Sequence, residues 1–255
     1  MFTLYNAPQS TCSQRVRFVL NAKQFAFAEV KLDLLAGDQL KPDYLKLNPN
    51  GVVPTLDHDG KIVVDSAVIG EYLDEIAPQP ECFTPSAPIA RAHMRALMHF
   101  IDEMPAAAIR VPTFNLAFLP RFAAMSEQEF VAFAQSKPLR KEFMLAMGRK
   151  GFSDAEMQAA LDRLGRTLTR MDGEIASSDG PWLMGARATL ADICVMPTLV
   201  RMADLGLDTM WRDKPRIARW LAAIRAHSAF QPTYYFGSLL SEKFPQVKER
   251  AAAWA

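Results

Sequence analysis

The segment Gly51-Val52-Val53-Pro54-Thr55, with Asp65-Ser66 ten residues beyond it, restricts the architecture of this chain more than any other stretch. Leu56 follows the proline, then a polar turn (Asp57-His58-Asp59-Gly60) and an apolar run (Ile62, Val63, Val64). This pattern predicts strand, turn, strand, with a proline at the entry to the first strand. Proline cannot donate to a sheet ladder, so it is confined to strand starts, edges and bulges. An X-Pro bond also has an appreciable cis population. A cis Val53–Pro54 bond turns the N–H and C=O of Val53 outward, where a peptide-like ligand can pair with them as an added strand. Asp65-Ser66 closes the second strand just before an apolar helix. Ser66 there offers a hydroxyl and a helix-start N–H to a carboxylate, and Asp65 offers a charge to an ammonium group. Together they suit an amino-acid head group.

A chain of 255 residues, half of them hydrophobic, can form one large domain or two smaller ones with a substantial core. The net charge of +1 gives no basis for a nucleic-acid or acidic-lipid surface. Cys12, Cys82 and Cys194 form no CxxC pair, and His93 and His99 are too far apart on a helix to complete a metal site. The odd cysteine count fits a reducing compartment, so a cytoplasmic location is expected. Phe2 to Tyr5 reads as a strand rather than a signal peptide. No apolar run approaches the ~20 residues that a membrane helix requires.

Along the chain, residues 2–6 read as a strand, Pro8 to Ser13 as a polar loop, and the stretch from Gln14 as a helix with Val16, Val19 and Leu20 inward and Arg15 and Arg17 outward. Phe25 to Leu34 alternates as a second strand, 43–47 as a short helix, and Ala67 to Ile76 as an apolar helix. The order β-α-β-α-β-β-α describes an α/β unit with a four-stranded mixed sheet. Pro78, Pro80, Pro85 and Pro88 then mark a linker. Beyond it the pattern is helical. Ile89 to Ile109 can be one long helix unless Pro105 interrupts it. Ser126 to Glu129 and Thr189 to Asp192 are capping patterns, and the second is read as structural. The expected organisation is an α/β domain over 1–78, a linker over 79–88 and a helical-bundle domain over 89–255.

In this order and spacing the residues resemble the glutathione S-transferase family. Asn48-Pro49-Asn50-Gly51-Val52-Val53-Pro54-Thr55 is similar to the family's NPxGxVP segment. Asp65-Ser66 resembles the acidic-Ser pair that holds the γ-glutamyl group, and Thr189 to Asp192 its helix-starting box. The resemblance implies an N-terminal thioredoxin-like domain, a helical second domain, glutathione as ligand and a homodimer. Ser10-Thr11-Cys12-Ser13-Gln14-Arg15-Val16 is similar to the active-site runs of the zeta and phi classes, in which the catalytic serine maps to Ser10. The segment from about Met125 to Ala191 resembles the bacterial glutathione-dependent β-etherases, whose active serine falls nearer Ser13. Cys12 is a third candidate, through a mixed disulfide with glutathione. Alternatively these hydroxyls cap the first helix. Gln39 takes the position of a phi-class residue that contacts the glycyl carboxylate, with Lys41 nearby. Val53, Pro54, Asp65 and Ser66 complete the implied glutathione frame.

A glutathione enzyme must favour the ligand's thiolate, which is the nucleophile. The loop before the first helix is suitably placed, because a hydroxyl donor and a helix N-terminus both stabilise a thiolate. Met104, Phe114, Phe118, Phe122 and Tyr234 are the candidate walls for a hydrophobic substrate. The three phenylalanines share a helix face at i, i+4, i+8, a stripe that ordinary core would also show. The expected activity is attack of glutathione on an aromatic electrophile, in a detoxifying or ether-cleaving role. The alternatives are a glutathione-dependent isomerase of an unsaturated diacid and a non-catalytic carrier or scaffold.

Overall fold

In the computed structural model, which describes residues 1–247 and 249, strands β1 (Phe2–Asn6), β2 (Phe27–Lys31), β3 (Thr55–His58) and β4 (Lys61–Val64) form one sheet in the order β2-β1-β3-β4. β1 runs parallel to β2 and antiparallel to β3, with Leu4 opposite Leu56, and β3 pairs antiparallel with β4. A parallel pair requires a crossover, and helix α1 (Thr11–Ala22) supplies it. Val16, Val19 and Leu20 of α1 join Ile69 and Leu73 of α3 (Ser66–Ile76) and Leu4 and Leu56 of the sheet in one core. The alternate residues face a smaller cluster, in which Tyr5 meets Tyr44 of α2 (Pro42–Leu47), Val53 and Ala7.

Two expectations are corrected here. β2 is shorter than Phe25 to Leu34, because the ladder ends where the Leu32 N–H bonds Asn6 C=O at 2.8 Å. Asp33 then turns the chain, its Oδ1 accepting from the Leu35 and Ala36 N–H groups. Arg15 and Arg17 are not outward but buried. α1 is enclosed by α3 and by the helices over Leu190–Asp204 and Phe230–Thr233, so it has no solvent face. Arg17 therefore donates to Asn6 Oδ1 at 2.6 Å, Pro8 O at 2.8 Å and Thr233 O at 3.1 Å. Arg15 donates to Cys194 O at 2.8 Å and Asp102 Oδ1 at 2.6 Å.

Residues 77–87 form no helix or strand. They are tied to the first unit by Lys23, whose buried Nζ reaches Asp74 Oδ1, Ala77 O and Glu81 O, each at 2.6 Å. α4 (Pro88–Glu103) opens with Pro88 in its first turn, where a missing N–H costs nothing. The expected helix to Ile109 is broken at Pro105, and the chain restarts as α5 (Pro105–Ala108) and α6 (Arg110–Thr113). A π-helical turn over Phe114–Phe118 leads into α7 (Leu119–Ala123). α8 (Glu127–Gln135) begins at the Ser126–Glu129 capping box and packs with α9 (Lys141–Met147) around a separate core of Phe122, Phe130 and Met144. α10 (Asp154–Ser177), α11 (Leu190–Asp204), α12 (Pro215–Ala226) and α13 (Phe230–Thr233) complete the bundle.

α11 lies at its centre, apolar all round as a fully enclosed helix must be. The buried Asp192 carboxylate accepts from Leu183 N–H, Thr189 N–H and Oγ1, and Trp220 Nε1 at 2.8–3.0 Å, so the capping pattern is structural. Among the described residues, no helix is long and apolar enough to cross a membrane. Residues 248 and 250–255 of the expected helical domain lie outside the described residues.

Candidate active site

The loop from Ala7 to Ser10 is held from below by cationic and amide side chains. Arg17 Nη2 and Gln14 Nε2 both donate to Pro8 O, at 2.8 and 3.2 Å. Arg201 Nη2 donates to Gln9 O, and Gln9 Nε2 donates to Gly237 O at 2.6 Å. Ser10 is the N-cap of α1, with extended backbone and an Oγ that accepts the Ser13 N–H at 3.2 Å. The capping reading of this hydroxyl is therefore correct, but capping uses only its lone pair. The hydroxyl proton has no acceptor among the described residues and lies on a cavity wall. Ser13 is fully buried beneath the loop, its Oγ accepting the Ala7 N–H at 3.3 Å, and it does not reach the cavity. Cys12 is half-buried, unbonded and on the wall beside Ser10.

Across the cavity, Val53–Pro54 is cis. Tyr44 Oη and Asn48 Nδ2 hold Val52 O at 2.6 and 3.0 Å, while the N–H and C=O of Val53 have no partner among the described residues. Gly51, at φ +60°, packs so closely on Leu40 and Pro138 that a Cβ there would lie 3.0 and 3.1 Å from them. Gln39 is buried on the same wall with an unpartnered Oε1, and its Nε2 reaches Leu34 O only at 3.4 Å. Lys41 is exposed, bonded to Asp38 at 2.7 Å and outside the cavity, because the short helical turn over 38–40 points it away.

Asp65 and Ser66 lie outside this cavity, at the start of α3. Asp65, at φ +73°, caps the helix through Oδ1, accepting from Ala67 and Val68 N–H at 2.9 and 3.2 Å. Its other oxygen makes no bond and the residue is exposed. Ser66 Oγ accepts from Arg15 Nη1 at 3.3 Å. The helix start thus presents an exposed acid at Asp65, with the Ser66 hydroxyl buried behind it.

The cavity has a volume of about 510 Å³. Phe114, Phe118 and Phe122 all line it, joined by Phe133, Phe143 and Phe244. Phe114 stacks on Phe122 at 6.1 Å and meets Phe118 edge-on at 5.1 Å. Met104 and Tyr234 do not line it. Met104 is turned to Arg163, whose Nε approaches its Sδ at 3.3 Å, because the break at Pro105 rotates that position away. Tyr234 is folded into the bundle against Phe230, with its hydroxyl buried and unpartnered.

Sequence reasoning passed over the cations. Arg110, Lys137 and Arg140 line the cavity, and no side chain among them makes a hydrogen bond or ion pair within the described residues. Burial, then the repulsion of Arg140, pushes the Arg110 guanidinium down to about 10. Burial, then Arg121, pushes the Lys137 amine down to about 8. No sequence signal distinguished these residues from solvated ones. Among the described residues, no cluster of side chains could hold a metal ion.

Residues 4–81 match the family model of the glutathione S-transferase N-terminal domain, and residues 154–223 that of its C-terminal domain. With the thioredoxin-like sheet, the free Val53 backbone and the helical partner unit, the chain belongs to the glutathione S-transferase family. It is 32% identical over 243 residues to the maleylacetoacetate isomerase maiA of Aspergillus fumigatus, spanning 90% of this chain and 91% of that protein. It is 28% identical to the protein LigF of Sphingobium sp., across 91% of this chain and 92% of LigF. The crystal structure of the β-etherase LigF superposes with a TM-score of 0.80, at 25% identity, over 91% of this chain and 98% of that one.

Proposed function

We propose that this chain is a glutathione transferase that attacks an aromatic electrophile with a thiolate held by Ser10. The observation that carries the reading is that Val53, whose N–H and C=O have no partner among the described residues, lines the same cavity as Ser10 with its uncommitted hydroxyl. A glutathione backbone pairs with Val53 as an added strand. Its γ-glutamyl ammonium and carboxylate reach Asp65 and Ser66, and its glycyl end reaches Gln39. The Ser10 hydroxyl then donates to the sulfur, at the N-terminus of α1. A hydrogen bond to a charged group is worth about 1.5–3 kcal/mol and the helix terminus about 0.3–1 kcal/mol. At ~1.4 kcal/mol per unit, together they lower the thiol pKa by about 1–3 units.

The phenylalanine wall suits an aryl group, and the likeness to LigF supports an aryl ether α to a ketone. In that reaction the C–S bond forms as the C–O bond breaks, and phenoxide leaves to take a proton from water. The reading is tested by incubating purified protein and glutathione with a β-aryl ether ketone. Release of phenol with equimolar loss of glutathione supports it, and no release refutes the ether-cleaving role.

The likeness to maleylacetoacetate isomerases, over nine-tenths of this chain for maiA, favours one second reading: double-bond isomerisation with glutathione regenerated. Thiol stoichiometry separates the two, because an isomerase leaves total glutathione unchanged. We also read the chain as a homodimer, a state that light scattering measures directly. The exposed Val68, Ile76 and Ile89 on α3 and α4 support it.

A further inference from the structure

Six cations and two carboxylates line the cavity, in a chain whose net charge is only +1. Both carboxylates are already committed. Asp38 pairs with Lys41 at 2.7 Å and accepts the Asp33 N–H at 2.8 Å. Asp33 Oδ1 accepts two backbone N–H groups. Three of the cations are likewise engaged or peripheral. Arg201 bonds Gln9 O and Thr113 Oγ1, Lys31 pairs with Glu29 at 3.5 Å, and Lys243 sits on the exposed C-terminal segment. Arg110, Arg140 and Lys137 remain.

Arg110 is half-buried, near the charges of Arg140, Arg15 and Asp102, yet it bonds to none of them. Lys137 is 8% exposed and has only the Phe133 ring, 4.0 Å from its Nζ. Lys137 is buried, and a buried charge is ordinarily paired, since an unpaired one costs several kcal/mol; Arg110 and Arg140 are half-buried beside it. Three unpaired cations around one cavity therefore describe a site whose counter-charge arrives with the ligand. They also share that cavity with six phenylalanines.

We infer that the second substrate is an aromatic acid, with its carboxylate received by Arg110 and Arg140 and its ring by the phenylalanine wall. This rests on the transferase reading for its chemistry but not for its binding. Arg110 and Arg140 line the same cavity as Ser10 and Cys12, and we place the carboxylate beside the electrophilic carbon rather than at the glycyl end assigned to Gln39. Arg140 is the N-cap of α9, and Lys137 and Pro138 lie in the turn just before it, with Pro138 seated on Gly51. The α8–α9 hairpin therefore carries part of the acid site and one wall of the glutathione groove together.

The test needs no turnover. Binding of 4-phenoxybenzoate and of its neutral amide is measured by calorimetry, for the unaltered protein and for Arg110→Gln, Arg140→Gln and Arg110→Lys. The acid is expected to bind at least about tenfold more tightly than the amide, as a charge-assisted hydrogen bond in a dry site implies. Either glutamine variant should abolish that preference with the amide unchanged, and Arg110→Lys should keep part of it. Near-ultraviolet circular dichroism and amide binding report whether a variant is folded.

Equal binding of acid and amide to the unaltered protein overturns the inference. So does fumarate binding as tightly as the aromatic acid, which would assign the cations to a small diacid. The glycyl carboxylate of glutathione is the competing source of charge. If Arg110→Gln weakens glutathione but not γ-glutamylcysteine, the cations hold that carboxylate and the inference fails. Absence of glutathione binding with the acid preference intact would instead refute the transferase reading alone.

Discussion

Replacing Ser10 tests the proposed chemistry most directly, because its Oγ has two separable roles. As N-cap it accepts the Ser13 N–H, and losing that bond costs about 0.5–2 kcal/mol of stability. As thiol donor it contributes about 1.5–3 kcal/mol of thiolate preference. The second figure corresponds to a rise of about 1–2 units in the glutathione thiol pKa when the hydroxyl is removed. Near neutral pH the thiolate population, and kcat/KM with it, then falls by about 10–100-fold.

Ser10→Gly separates the roles, since glycine at an N-cap costs only a few tenths of a kcal/mol. The assay is ultraviolet titration of thiolate absorbance in the enzyme–glutathione complex, beside the pH profile of kcat/KM. Ser10→Gly should show nearly full stability and the raised pKa. Ser13→Ala should show the reverse: its buried bond to the Ala7 N–H is lost, at a cost of about 1–3 kcal/mol, while the thiol pKa stays in place. A Ser10→Gly complex that titrates where the unaltered one does refutes the argument and moves the role to Cys12 or to the helix terminus alone.

Lys23→Met leaves Asp74 charged and buried, so a loss of about 3–5 kcal/mol is expected in denaturant unfolding. Adding Asp74→Leu should recover part of it, and failure of Lys23→Met alone to lower stability would contradict the pairing. Gly51→Ala sets a side chain at φ +60° and crowds Leu40 and Pro138. It should cost about 1 kcal/mol or more and weaken glutathione binding by calorimetry through the adjoining Val52–Val53 backbone. The Lys137 amine is lowered by burial to about 8 from 10.5, so the native state binds fewer protons than the unfolded chain between those values. Stability should therefore rise as pH increases through that window, with the penalty fully present below it. Lys137→Met should remove the rise and be the more stable protein near neutral pH, and unfolding midpoints at the two ends of the window measure both.

What the sequence determined by itself is local. The strand-turn-strand after Pro54, the Ser126–Glu129 box, the Thr189–Asp192 pairing and the cap at Ser10 all follow from groups within about four residues of each other. Their partners stand in the same short stretch, so composition and spacing suffice. The cis Val53–Pro54 bond was legible for the same reason, since it lies at the entry to one of those local elements. Tertiary structure decided the rest. Arg15 and Arg17 read as outward because a helix repeat cannot show that α1 is enclosed on every side. Their acceptors include Cys194 O, 179 residues away, and Thr233 O, 216 residues away.

The choice between Ser10 and Ser13 is also tertiary. Both are hydroxyls near a helix start, and only the chain path places Ser10 on the cavity and Ser13 beneath it. Tyr234 and Met104 turned out of the wall, while Arg110, Lys137 and Arg140 turned into it. Their charge in the sequence indicates solvent, and only the folded chain sets them on a cavity wall, Lys137 buried and the two arginines half-buried, without supplying a partner.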